Sequence, residues 1–250
     1  NVIILDCTGA APFAGEVLVE NGRVARIARS PDSIDATDAQ RIDGRGGTLM
    51  PGLVEPHAHL SFTDMSQSTQ LGEIPPEDHA LMTLRNARVM LDHGFTSCFG
   101  AASAKPRLDV AVRNAIDRGD FPGPRMLAAS PEMTVTGGLG DPSLSHLERH
   151  NFGYVCDGAD EFRRAARLFV REGVDTLKIN VSGDAGVAWA RAHETVMNDA
   201  EVEAVCEVAR SRGKRVAAHV RSAESVKMAL RHGVDVFYHA TLIDDEACAQ

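Results

Sequence analysis

From Leu53 onward, short apolar runs alternate with longer helix-like segments, and this alternation limits the chain to few folds. The runs are Leu53–His57, Phe95–Phe99, Arg125–Ala129, Val174–Asn180, Val216–Val220 and Val234–His239. Between them lie Asp78–His93, Leu108–Arg118, Asp160–Glu172, Asp199–Arg212 and Ala223–His232. Several of these segments end in a basic residue or histidine followed by glycine, as in His93-Gly94, Arg118-Gly119, Arg212-Gly213 and His232-Gly233, which is a helix stop. Strand and helix repeating at this spacing predict parallel βα units. A stretch from Ser130 to Gly158, rich in glycine, reads as a long irregular connection.

The first fifty residues follow another rule. Two apolar runs, Glu16–Glu20 and Arg23–Ile27, flank Asn21-Gly22, a two-residue hairpin signal. Together with Val2–Cys7 they predict a small antiparallel sheet, followed by a polar loop from Ser30 to Gln40. Gly44, Gly46, Gly47, Pro51 and Gly52 mark the change of architecture. Residues 1–50 are therefore expected to begin a small β-sandwich domain, and residues 51–250 to form a barrel.

Composition narrows the class of partner. With 44% hydrophobic and 24% charged residues, the chain is that of an ordinary globular protein. A net charge of −9 without a basic stripe argues against nucleic acid, and no apolar run approaches the length of a membrane span. Five scattered cysteines without a Cys-x-x-Cys pair suggest neither a disulfide framework nor a thiolate zinc site, so a cytoplasmic setting is expected.

Ten histidines are unequally placed. His79, His93, His150, His193 and His232 fall on or beside helix-like segments, where solvated or capping imidazoles are expected. His57, His59, His219 and His239 instead lie at the C-terminal ends of predicted strands, as does Lys178 in Thr176-Leu177-Lys178-Ile179-Asn180. Side chains alternate along a strand, so Lys178 opposes Leu177 and Ile179, and His219 opposes Ala218 and Val220. His57 and His59 share a face opposite Val54, Pro56 and Ala58. On the sixth strand, Phe237 and His239 oppose Val236 and Tyr238. If the aliphatic faces meet outer helices, the ionisable groups point into a barrel at its C-terminal mouth, where such barrels carry their active sites. Buried there without partners they would be costly, and a divalent metal removes that cost. The histidines thus favour a closed barrel over an open doubly wound sheet.

The string Leu49-Met50-Pro51-Gly52-Leu53-Val54-Glu55-Pro56-His57-Ala58-His59-Leu60 resembles the opening signature of the metal-dependent amidohydrolase superfamily. Thr134-Val135-Thr136-Gly137-Gly138, Lys178-Ile179-Asn180-Val181-Ser182-Gly183 and Tyr238-His239-Ala240-Thr241 resemble its imidazolonepropionase-like branch, which includes Xaa-Pro dipeptidases. The resemblance covers nearly the whole chain. It implies a (β/α)8 TIM barrel, of which six strands can be placed here, and two divalent metal ions, with zinc the first expectation. His57 and His59 would hold one ion and His219 and His239 the other, bridged by Lys178 as its carbon dioxide adduct, a carbamate. The implied reaction is hydrolysis of an amide bond in a dipeptide or N-acyl amino acid by a metal-bridging hydroxide. Two alternatives are a cyclic amide or lactone as substrate, and an inactive barrel serving as a binding scaffold.

The family's acid/base aspartate ends the eighth strand, so it is expected after residue 250, in a longer polypeptide. Asp235, low on the sixth strand, is a poor substitute. Arg221, two residues past His219 and on the same face, could clamp a substrate carboxylate, and His146 on the long loop is a second candidate contact. Relatives often carry histidine where this chain has Leu139, a departure that bears on the carboxylate pocket. The expected partner is a small molecule or dipeptide, and a homo-oligomer is compatible with this reading.

Overall fold

The structure, a computed structural model, describes residues 1–62, 69–147, 152–185 and 187–250. Contacts divide it into two units, Asn1–Leu53 and Val54–Gln250.

In the first unit, β1 (Val2–Ile4), β2 (Phe13–Glu20), β3 (Arg23–Arg29) and β4 (Thr48–Leu49) form one sheet in the order β3-β2-β1-β4. The hairpin is where the sequence places it. Asn21 and Gly22 have φ of 51° and 72°, the positive values that a two-residue turn requires and that asparagine and glycine tolerate. The sheet is mixed rather than antiparallel, because β4 pairs with β1 in parallel. That pairing joins positions some 45 residues apart and leaves no local sequence signal.

In the second unit, β5 (Leu53–Ala58), β6 (Phe95–Gly100) and β7 (Arg125–Leu127) form a three-stranded sheet in that order. A five-stranded sheet follows, made of β8 (Ala129–Thr134), β9 (Gly153–Val155), β10 (Thr176–Asn180), β11 (Arg215–Ser222) and β12 (Val236–Leu242), in the order β12-β11-β10-β8-β9. Only Ala128 separates β7 from β8. Its N–H donates to Asp175 Oδ2 at 2.8 Å and its carbonyl accepts from the N–H groups of Asp175 and Thr176, so one barrel strand passes from the first sheet to the second. Six parallel barrel strands thus run in chain order, as the alternation predicts. The predicted Ser130–Gly158 connection is less irregular than expected, since it holds most of β8 and all of β9.

The helices are α1 (Gln70–Glu73), α2 (Pro76–Asp92), α3 (Leu108–Asp117), α4 (Ala159–Glu172), α5 (Asp199–Ser211), α6 (Ala223–Arg231) and α7 (Asp245–Ala249). Asn198 and Glu201 close a reciprocal capping box at the start of α5, which fixes where that helix begins. The main core lies between strands and helices, where Leu177, Ile179, Val216, Ala218 and Val220 meet Phe162, Phe169 and Val205. That layer buries the aliphatic face of β10 and β11 and leaves their other face to the barrel interior. No helix of the described residues is long and apolar enough to cross a membrane.

Candidate metal centre

At the C-terminal ends of the strands, a cleft of about 450 Å³ collects the five strand-end residues singled out above. Strand alternation brings Lys178 and His219 inward, and both are buried. Below them, Ala217 and Tyr238 pack with Ala101 inside the barrel. The His57 ring stacks on Tyr238 at 3.9 Å between centroids and lies 5.1 Å from His59 and 5.0 Å from His239. The rings of His219 and His239 are 4.5 Å apart. Lys178 Nζ lies 4.7 Å from the Tyr238 ring centroid.

The sixth strand corrects one expectation. Tyr238 and Val236, expected on the helix side, face the interior, while Phe237 packs against the outer core. Continued alternation would carry His239 outward with Phe237. The backbone prevents it: His239 and Ala240 adopt φ of 77° and 47°, and the β11 pairing loses register beyond Val220–His239. A left-handed pair of residues interrupts the strand, whose pairing resumes at Leu242, and turns the imidazole back over the cleft.

Burial and the Lys178 charge push His57 down to about 4 and His59 to about 3, and burial lowers His219 and His239 as well. Burial also lowers the Lys178 ammonium. Neutral imidazoles are the form that binds metal. His59 Nδ1 is buried with no hydrogen-bond partner, the cost a ligated ion removes. His219 Nε2 donates to the Gly183 carbonyl at 3.0 Å, which places its proton there and leaves Nδ1 as the lone pair. Gly183 is fixed by packing, since a Cβ would collide with the Ala190 carbonyl. The donor set therefore fits a divalent ion.

Asp184 adds a candidate ligand that the sequence reading missed. Asp184, His219 and His239 offer ligand atoms all within 4.8 Å of one another, a group that could hold a metal ion. Asp184 also pairs with Arg221 Nε at 3.0 Å, and Arg221 donates to Thr241 Oγ1 at 2.8 Å. The Ala185 N–H and Arg221 hold its carboxyl below the usual range against the opposing push of burial. Asp184 closes the motif that begins at Lys178, and the only advance signal was its place one residue past Gly183.

Glu132, buried in the cleft wall, was also missed. Alternation along the third strand would have placed it outward, but the pairing with β10 shifts register between Ala129 and Glu132 and brings Glu132 level with Lys178. Phe62 and Phe152 form an apolar wall, with Phe62 4.4 Å from the His59 ring.

His146 does not join the site. It is exposed on the turn closed by the Leu144–Leu147 bridge and does not line the cleft. Asp235 accepts from the Val216 N–H at 2.8 Å, a strand-end hydrogen bond away from the cleft. Of the helix-borne histidines, His79 is fully buried rather than solvated, with Nε2 2.6 Å from the Ser61 carbonyl. His93 caps α2 through Val89, His232 pairs with Asp199 and Glu203, and His193 is exposed. His150 lies outside the described residues.

A family model described as the amidohydrolase family matches residues 48–248. The chain belongs to this family. Ochratoxinase from Aspergillus niger is 26% identical over 217 residues, which is 79% of this chain and 44% of that protein. Imidazolonepropionase from Anaeromyxobacter dehalogenans is 40% identical over 70 residues, 25% of this chain and 17% of that protein. A solved prolidase complexed with N-methylphosphonate-L-proline superposes with a TM-score of 0.85 at 27% identity, covering 98% of this chain and 61% of its own. The fold is thus the amidohydrolase α/β barrel, with a separate N-terminal mixed sheet. The chain spans less than half the length of ochratoxinase and about three-fifths of the prolidase.

Proposed function

We propose that this amidohydrolase is a binuclear metal-dependent hydrolase that cleaves the amide bond of a dipeptide or N-acyl amino acid. The carrying observation is that one cleft gathers His57, His59, Lys178, His219 and His239. In this reading His57 and His59 would hold one ion and His219 and His239 the other, with Lys178, as its carbamate, supplying an oxygen ligand. Carbamylation turns a repelling ammonium into an anionic oxygen ligand. The ions, with zinc the first expectation, supply Lewis acidity and an activated water. The similarity to ochratoxinase and to a prolidase supports carbon–nitrogen chemistry.

The chain's own residues orient and bind. Gly183 fixes the His219 ring through its carbonyl, and Tyr238 stacks beneath His57 while donating to the Pro56 carbonyl at 3.1 Å. Arg221 takes the substrate carboxylate. Asp184 already meets this guanidinium at 3.0 Å, so a carboxylate fits the position. Phe62 and Phe152 exclude water from one side of the cleft. The proton for the leaving nitrogen falls to the aspartate that the family resemblance places after residue 250.

Libraries of dipeptides, N-acyl amino acids and cyclic amides, presented to the full-length protein, test the proposal. Hydrolysis of linear amides that is lost to a chelator and restored by zinc, manganese or cobalt is the expected result. Full activity of metal-free protein, or turnover of the cyclic amides alone, refutes it.

A further inference from the structure

Glu132 lines the cleft without a part in the chemistry above, and Asn180 is buried behind it. Both are more than nine-tenths buried. Asn180 Nδ2 donates to Glu132 Oε2 and to the Leu139 carbonyl, each at 2.9 Å. Two acceptors around that atom fix the amide orientation, so the Asn180 oxygen is the other terminus, and it is buried with no partner. Among the described residues no donor meets the second carboxylate oxygen of Glu132. An orphaned amide oxygen beside a buried carboxylate is a pair of acceptors lacking a donor, preferably a cationic one. Lys178, paired in register with Glu132, is the neighbouring cation, and carbamylation would remove its charge.

We infer that Glu132, held in place by Asn180, forms a subsite for the free ammonium group of the substrate, so that the substrate is an unblocked dipeptide rather than an N-acyl amino acid. The inference rests on the hydrolase reading and narrows its substrate class.

The test uses full-length, metal-loaded protein and the conservative variant Glu132→Gln. A dipeptide library and the same library N-acetylated are compared for hydrolysis. Binding of N-methylphosphonyl-L-proline is compared with that of its aminomethylphosphonyl counterpart, which adds only the ammonium. A charged hydrogen bond predicts a preference of about tenfold or more for the free amine in both assays. Glu132→Gln should bring both ratios near one, mainly through KM. Wild-type ratios near one, or a variant that loses both substrate sets equally, overturn the subsite while the hydrolase reading stands. If neither library is cleaved but the aminomethyl compound keeps its Glu132-dependent advantage, the hydrolase reading fails and the subsite stands.

Discussion

Lys178 and His219 lie on strands whose alternation runs unbroken through the site, whereas His239 lies where a strand loses its regularity. On β10 and β11 every second side chain meets the helices, so the side chains between them, Lys178 and His219 included, face the barrel. On β12 the same logic would turn His239 away, and left-handed backbone at His239 and Ala240 reverses it. One wall of the cleft is therefore positioned by sheet periodicity, and the other by local conformation held against its intrinsic cost. A ligand of the first kind is protected by the whole sheet. One of the second kind depends on a few residues.

Both walls should matter equally to chemistry. Lys178→Ala and His219→Ala, like His239→Ala, are expected to lower kcat/KM by about a thousandfold or more, as several kcal/mol of electrostatic stabilisation disappears. A mild effect at His239 alone would show that the left-handed turn does not deliver a ligand. The walls should differ in stability. Ala217→Gly on regular β11 should destabilise by about 1 kcal/mol, whereas Ala240→Gly should stabilise by up to about 1 kcal/mol, because glycine adopts positive φ freely. Denaturant titration of the two variants checks the opposite signs, and equal signs would remove the distinction.

A pH effect separates ionisable groups at the rim from one behind it. Asp109, at the start of α3, is fully buried, and burial pushes its carboxyl up to about 7 against the pull of Ser103, the Ala129 N–H and Ser61. An acid whose folded value is raised binds its proton more tightly when folded. Its stabilising contribution is complete below about 4 and is lost as pH rises toward 7. Asp109→Asn should match the wild type below about pH 4 and exceed it in melting temperature at pH 8. A variant no more stable than wild type at pH 8 contradicts this.

The parts of the molecule readable in advance were those governed by periodicity or by a single turn. The βα order, the Asn21-Gly22 hairpin, and the inward placement of Lys178, His219, His57 and His59 all follow from such rules. Glu132 was hidden because β8 runs past the apolar stretch that announced it, into residues whose polarity suggested a loop. Asp184 reaches the site by a turn that depends on the close approach of Gly183 and Ala190, and periodicity does not describe that packing. The parallel β1–β4 pairing was invisible for the same reason, being a long-range contact of two short strands. His146, a candidate substrate contact on a loop, is exposed and does not line the cleft, and loop position alone carries no signal of that.

Metal stoichiometry of the full-length protein, measured by elemental analysis, tests the central claim most directly. The account predicts about two divalent ions per chain, falling to about one in His57→Ala/His59→Ala and likewise in His219→Ala/His239→Ala. An active protein that binds no metal, or a stoichiometry unchanged by both double substitutions, would contradict it.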